Sequence, residues 1–148
     1  MNALRTAAIA AASMVALSLS GCAAIEEATI ANPFGDAQYT SMSGTDGGKA
    51  VEWLGTTPLT MSFTRMNGTL TMMMNTPCNA VSVDVRARGE DLVPTGSATA
   101  TAMGCRARES GQEHWATEFA AHTMQYTRDD STLTLTSGDE TIRFSVDD

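Results

Sequence analysis

Three groups of residues in this 148-residue chain have side chains able to bind or react. The first is the cysteines, Cys22, Cys78 and Cys105. A thiol can carry a lipid, join a second thiol, hold a metal or act as a nucleophile. The second is a stripe in "EHWATEFAAH", where His114, Glu118 and His122 recur every four residues. On a helix this spacing puts two imidazoles and a carboxylate on one face, a set suited to Zn²⁺ or Cu²⁺. The plainer account is a solvated helix edge beside Trp115 and Phe119. The third is Met72-Met73-Met74, whose soft thioethers suit Cu(I). Strand alternation sends Met73 to the opposite face from its neighbours, so adaptable core filling explains the run better. The sequence has no G-x-S-x-G elbow, ordered triad or glycine-rich phosphate loop. The acidic pairs Glu26-Glu27, Asp129-Asp130 and Asp147-Asp148 fall in linker, turn and tail, where charge is simply solvated.

Cys22 is read from its surroundings. The chain opens with Arg5 and then an uncharged run over residues 6–20 rich in Ala, Val, Leu, Ile and Met. That run is shorter than the roughly 20 residues a helix needs to cross a bilayer. It has the layout of a secretory signal. Its end, Leu19-Ser20-Gly21-Cys22, resembles the bacterial lipobox, in which the signal is cut before a cysteine whose thiol takes a diacylglycerol. The expected layout is a signal peptide over 1–21, then lipidated Cys22 and a spacer over 22–48, then a domain over 49–148. The chain is expected in the bacterial cell envelope, held on a membrane by its acyl chains.

With Cys22 committed to lipid, two cysteines remain in an oxidising compartment. An even number there favours a Cys78–Cys105 disulfide. The two are 27 positions apart. Closing such a loop stabilises by about 3–4 kcal/mol in the chain-entropy account. Two separate buried thiols and a metal-binding pair are the other readings, and neither cysteine has the C-x-x-C partner that metal sites favour.

Removing residues 1–21 takes away Arg5 and leaves eight basic against 17 acidic residues, a net charge of −9. Such a surface repels phosphate backbones and excludes nucleic acid as a natural partner. It also disfavours docking onto anionic lipid through charge, leaving the acyl chains as the anchor. No cofactor is implied.

The elements that must position these residues are mostly strands. "LTMSFTR" (59–65) and "GTLTMMMN" alternate apolar and polar residues around Asn67-Gly68, the dipeptide that best tolerates two positive φ angles. This predicts a type I′ hairpin. "NAVSVDVRAR" puts Val81, Val83 and Val85 on one face of another strand. Three more strands follow from "MQYTRDDSTLTLTSGDETIRFSVDD", with turns at 129–131 and 137–139 and with Leu133, Leu135, Ile142, Phe144 and Val146 inward. Between these groups, Trp115, Phe119 and His122 form a helical stripe over 108–122, with Ser110 and Glu113 spaced as a capping box. The aromatic stripe should cover the valine face. The fold class is α+β and β-rich, with antiparallel ladders and one helix.

Taken in order, "MSFTRMNGTLTMMMNTPCNAVSVDV", "TAMGC", Glu113 and "MQYTRDDSTLTLTSGDETIRF" resemble the META/HslJ-like domain family. Family members show a "GCN" segment, a "TRMAC"-like segment, an acidic helix and a closing "Y…dgdtLtL…G..l.F" pair. Phe63, Cys78, Asn79, Thr101, Met103, Cys105, Glu113, Tyr126, Leu133, Leu135, Gly138 and Phe144 fall at matching spacings, and Trp53-Leu54 resembles the opening strand. Three positions depart: Pro77 replaces Gly, Ala102 replaces Arg, and Val83-Asp84-Val85 replaces a Gly/Tyr pattern. The resemblance implies a strongly curved antiparallel sheet of about seven to eight strands covered by one helix. It implies an envelope lipoprotein, with relatives linked to heat shock and drug tolerance, and no established catalytic residues. The function expected is a non-catalytic module that binds an envelope protein or a small ligand, or supports the envelope under stress. The alternative is a metal-dependent or hydrolytic enzyme built on His114, Glu118 and His122.

Overall fold

A computed structural model describes residues 32–147. Ten strands form one antiparallel sheet: β1 (Gln38–Asp46), β2 (Lys49–Ala50), β3 (Thr60–Met66), β4 (Thr69–Asn75), β5 (Ala80–Arg88), β6 (Asp91–Pro94), β7 (Thr99–Ala100), β8 (Met124–Arg128), β9 (Thr132–Ser137) and β10 (Glu140–Asp147). The main path runs β10-β9-β8-β6-β5-β4-β3-β1, and β1 also pairs with β10. That last pairing closes eight strands into a barrel, with two-residue β2 and β7 as side pieces on β1 and β5. Closure removes the exposed edges that invite aggregation. Among the described residues there are two helices, the four-residue α1 (Trp53–Thr56) and the long α2 (Ala107–Ala121).

Period-two patterning fills the interior as expected. Met61 and Phe63, then Leu70, Met72 and Met74, then Val81, Val83 and Val85, then Leu133 and Leu135, then Ile142 and Phe144 are all buried. Val146 packs only partly against this core. Met73 faces outward at 40% exposure while Met72 and Met74 are fully buried. The methionine run is therefore core filling on an ordinary strand. Asn67 and Gly68 both take positive φ, 51° and 79°, between β3 and β4. Met66 pairs with Thr69 across that two-residue loop.

The barrel has two closed ends. At the end carrying the β3–β4 and β8–β9 turns, Phe34 is fully buried. Its ring stacks on Phe63 with centroids 3.8 Å apart and meets the edge of Tyr126 at 5.0 Å. The Tyr39 hydroxyl donates to the Phe34 carbonyl at 2.8 Å. At the other end α2 lies over the opening and buries Gln112, Ala116, Phe119 and Ala120. Phe119 goes fully inward as its place in the stripe requires, whereas Trp115 is only partly buried.

Four expectations need correction. Residues 38–46, assigned to the spacer, form β1 and close the barrel. The strand hid because its inward residues include Ser41, and because the register with β10 shifts between Ser41 and Ser43, interrupting the alternation. Buried Ser41 is satisfied locally: its hydroxyl donates to the Leu54 carbonyl at 2.7 Å and accepts from the Leu59 amide at 2.9 Å. Trp53-Leu54, likened to an opening strand, lies in α1, with Leu54 fully buried beside Gly44. A side chain at Gly44 would collide with Leu54 and the Thr141 carbonyl. The long helix begins at Ala107, so Ser110 is inside it and its amide donates to the Arg106 carbonyl at 2.9 Å. Glu113 therefore makes no capping box and is drawn to Asn79 instead. The helix ends at Ala121, and His122 is an extended cap residue at φ −106°, ψ 160°. The proposed lipidation site, Cys22, and the signal over 1–21 lie outside the described residues.

Candidate functional site

The motif residues converge beside the start of β5. Thr76, Pro77, Cys78 and Asn79 link β4 to β5. The Thr76 amide donates to the Asn79 carbonyl at 2.8 Å. The Thr76 hydroxyl donates to that same carbonyl at 2.7 Å and accepts from the Asn79 amide at 2.9 Å. This is the local hydroxyl-to-backbone pairing that Ser and Thr offer in turns. It fixes the backbone of Asn79 and turns its side chain toward the segment 101–105. Pro77, standing where the resemblance expects glycine, is exposed.

Asn79 is 5% exposed and uses both ends of its amide. Its carbonyl oxygen accepts from the Thr101 hydroxyl at 2.8 Å and from the Met103 amide at 3.0 Å. Its Nδ2 donates to a Glu113 carboxylate oxygen and lies 3.0 Å from Cys105 Sγ. Thr101 then ties back to β5, its hydroxyl accepting from the Ala80 amide at 3.1 Å and its own amide donating to the Ala80 carbonyl at 3.0 Å. Cys78 and Cys105 are joined by a disulfide with Cα atoms 5.9 Å apart, inside the range such bonds occupy. The bond staples the β4–β5 turn to the residue just before α2. One amide thus holds a loop, a helix and a disulfide together. A buried Asn that finds partners for all its polar atoms orders the groups around it.

Among the described residues, one set of three His, Cys, Asp or Glu side chains brings ligand atoms within 4.8 Å of one another: Cys78, Cys105 and Glu113. His114, Glu118 and His122 form no such set. His114 and His122 are exposed, and His122 Nδ1 sits 2.8 Å from the Glu118 backbone carbonyl. Tyr126 lies away from the Asn79 cluster. It packs on Phe34 near the opposite end of the barrel, with its hydroxyl donating to the Gly89 carbonyl at 2.9 Å.

The sequence reading missed a groove of about 820 Å³ between α1 with its preceding turn and the first half of α2. Val51, Trp53 and Trp115 supply apolar wall, and Asp46, Lys49, Glu52 and Arg108 stand around it. The two indoles meet edge to face at 5.7 Å, and Trp115 stacks on Phe119 at 5.6 Å. Trp115 Nε1 donates to Asp46 at 3.0 Å, which fixes its plane. The signal available was that the chain has only two tryptophans, and both line this groove. On the same side of the barrel, Glu140 is held above the usual carboxylate range by partial burial first, then by Asp46, Asp139 and Glu118, with His122 opposing.

An NMR structure of a protein from Burkholderia xenovorans superposes with a TM-score of 0.60 at 16% identity, covering 76% of this chain and 82% of that one. A second NMR structure gives 0.53 at 19% identity, covering 75% and 89%. At such identities the likeness speaks for the fold alone. No curated protein matches the chain. The family model described as META domain matches residues 32–148, which take in every strand, both helices and the Asn79 cluster. The chain belongs to the META domain family.

Proposed function

We propose that this chain is an exported lipoprotein, anchored to a bacterial membrane through Cys22, whose META domain is a non-catalytic module that binds a small amphipathic ligand. The observation that carries the binding role is the tryptophan-lined groove. Its volume falls in the range of small-ligand sites, roughly 300–1,000 Å³. Its wall is apolar, and its rim carries charges of both signs. A ligand with an apolar body and polar ends matches that arrangement better than a bare hydrocarbon or a polyanion.

The non-catalytic part is supported by what the motif residues do. Cys78 and Cys105 are bonded to each other, so neither is a free nucleophile. The Asn79 amide is engaged at both ends. The alternative of a metal-dependent or hydrolytic enzyme on His114, Glu118 and His122 draws less support, because the ligand atoms of these three form no set within 4.8 Å of one another. The family relation supports the envelope role, and a part in stress tolerance follows the same relation.

Anilinonaphthalene sulfonate, an apolar dye with an acidic group, tests the groove. Both tryptophans should transfer excitation to the bound dye at about one dye per chain. Trp53→Ala should abolish that binding while leaving the circular dichroism unchanged. Equal dye binding by the variant would place the ligand elsewhere. Capture of a discrete envelope protein that Trp53→Ala releases would replace the small ligand by a protein partner.

A further inference from the structure

We propose that Cys78, Cys105 and Glu113 form a redox-gated zinc site, closed while the two cysteines are joined and able to take one Zn²⁺ once they are reduced. The two sulfurs and a carboxylate oxygen lie within 4.8 Å of one another. Cys105 Sγ is 3.5 Å from Glu113 Oε2. A zinc–sulfur bond of about 2.3 Å in tetrahedral geometry sets two thiolates roughly 3.7 Å apart. Cα atoms 5.9 Å apart allow that separation by side-chain rotation alone, with the backbone left in place.

The surroundings favour an ion at this position. Asn79 Nδ2 reaches both Cys105 Sγ and the Glu113 carboxylate. In the reduced protein the same N–H donors would face a thiolate and a carboxylate, stabilising both as anions and holding them toward one point. That is what the outer shell of a metal site does. Asn79 is in turn held by Thr76, Thr101 and Met103, none of which depends on the disulfide. All three ligands are half-buried, so a small ion and a reductant can reach them, and water can fill the fourth position. Two thiolates with a hard carboxylate suit Zn²⁺ better than Cu(I), which prefers sulfur throughout.

A dithiol reductant gives two electrons and two protons to the Cys78–Cys105 bond and becomes a disulfide itself. The protein gains two thiols. Zn²⁺ then binds both sulfurs with loss of two protons and binds Glu113 as the carboxylate it already is. A disulfide oxidant reverses the sequence: the protein bond re-forms and the ion leaves. This property is independent of the groove and its ligand.

The full chain carrying Cys22→Ala isolates the question, because Cys78 and Cys105 are then its only thiols. The protein is reduced with dithiothreitol under nitrogen, desalted, and titrated with Zn²⁺ against a chromophoric chelator. One ion should bind per reduced chain and none to the oxidised chain. Co²⁺ in place of Zn²⁺ should show thiolate charge-transfer absorption. Glu113→Gln keeps an acceptor for Asn79 and removes the charge at the metal. It should weaken binding at least as much as the roughly 10–100-fold that loss of an outer-shell partner causes. Failure of the reduced chain to take up zinc would overturn the proposal. So would equal affinity in Glu113→Gln, or equal affinity in the reduced chain held unfolded in urea, since a preformed site would then play no part.

Discussion

Replacing the Asn79 amide by a carboxylate would set a second negative charge directly against Glu113. The Nδ2 atom that now donates to Glu113 would become an acceptor facing an acceptor. Like charges at contact raise the pKa of the pair. Each such group then binds its proton more tightly folded than unfolded, so stability is present at low pH and lost as pH rises through the carboxylate range near ~4. Asn79→Asp should therefore melt close to the wild type at pH 3.5 and well below it at pH 7. Asn79→Ala should show no such recovery and should cost about 2–3 kcal/mol at both values, from buried groups left without partners. Denaturant melts at the two pH values separate the cases. Asp129 gives the opposite sign. Its carboxylate accepts from the Thr132 hydroxyl above all, then from the Ser131 and Thr132 amides and the Ser131 hydroxyl, which together pull its pKa down to about 2. Its contribution is complete above the unfolded value near ~3.9 and fades as pH falls toward 2. Asp129→Asn should flatten that part of the acid-unfolding curve, and an unchanged curve would mean that the turn adds nothing to the acid response.

At the scale of elements, what could be read in the sequence depended on how each element buries itself. β3, β4, β5, β9 and β10 keep one apolar face, and alternation locates them to within a residue. β1 buries Tyr39 and Ser41, shifts register near Met42 and brings Gly44 against Leu54, so no period survives in its residue types. It is legible only through long-range pairing with β3 and β10, which no local pattern encodes. The helix was visible from its aromatics, but its first turn, Ala107-Arg108-Glu109, carries no apolar signal, and a capping box three residues later offered a false start. The Asn79 cluster was half legible. Its members stood out as motif residues, while their convergence depends on a turn and a loop with no periodicity. The helix stripe supplies a direct test. Phe119 is fully buried, so Phe119→Ala should cost about 3–5 kcal/mol in a urea melt. A loss below about 1 kcal/mol would mean that α2 does not seal the barrel.

Across the whole molecule, the two ends of the barrel carry different tasks. The chain comes in at the Phe34 end, where Arg128 donates to the Pro33 carbonyl and Tyr39 to the Phe34 carbonyl. The groove and the stapled cluster lie at the α2 end. Ten Cα-to-Cα steps lead from Cys22 to Asn32, a span of at most ~33–36 Å when extended. A lipid on Cys22 would therefore join the barrel at its Phe34 end, the end opposite the groove. Anchoring and binding should then separate cleanly. Cys22→Ala should move the protein from the membrane fraction to the soluble envelope fraction. Its melting temperature and its dye binding should match the wild type, because the barrel and the groove are built from residues 32–147. Mass spectrometry of the wild-type mature N-terminus should find a diacylglyceryl group on residue 22. An unmodified Cys22 or a cut elsewhere would remove the anchor. Loss of dye binding in Cys22→Ala would show instead that the N-terminal segment helps to build the groove, and the two ends would no longer be independent.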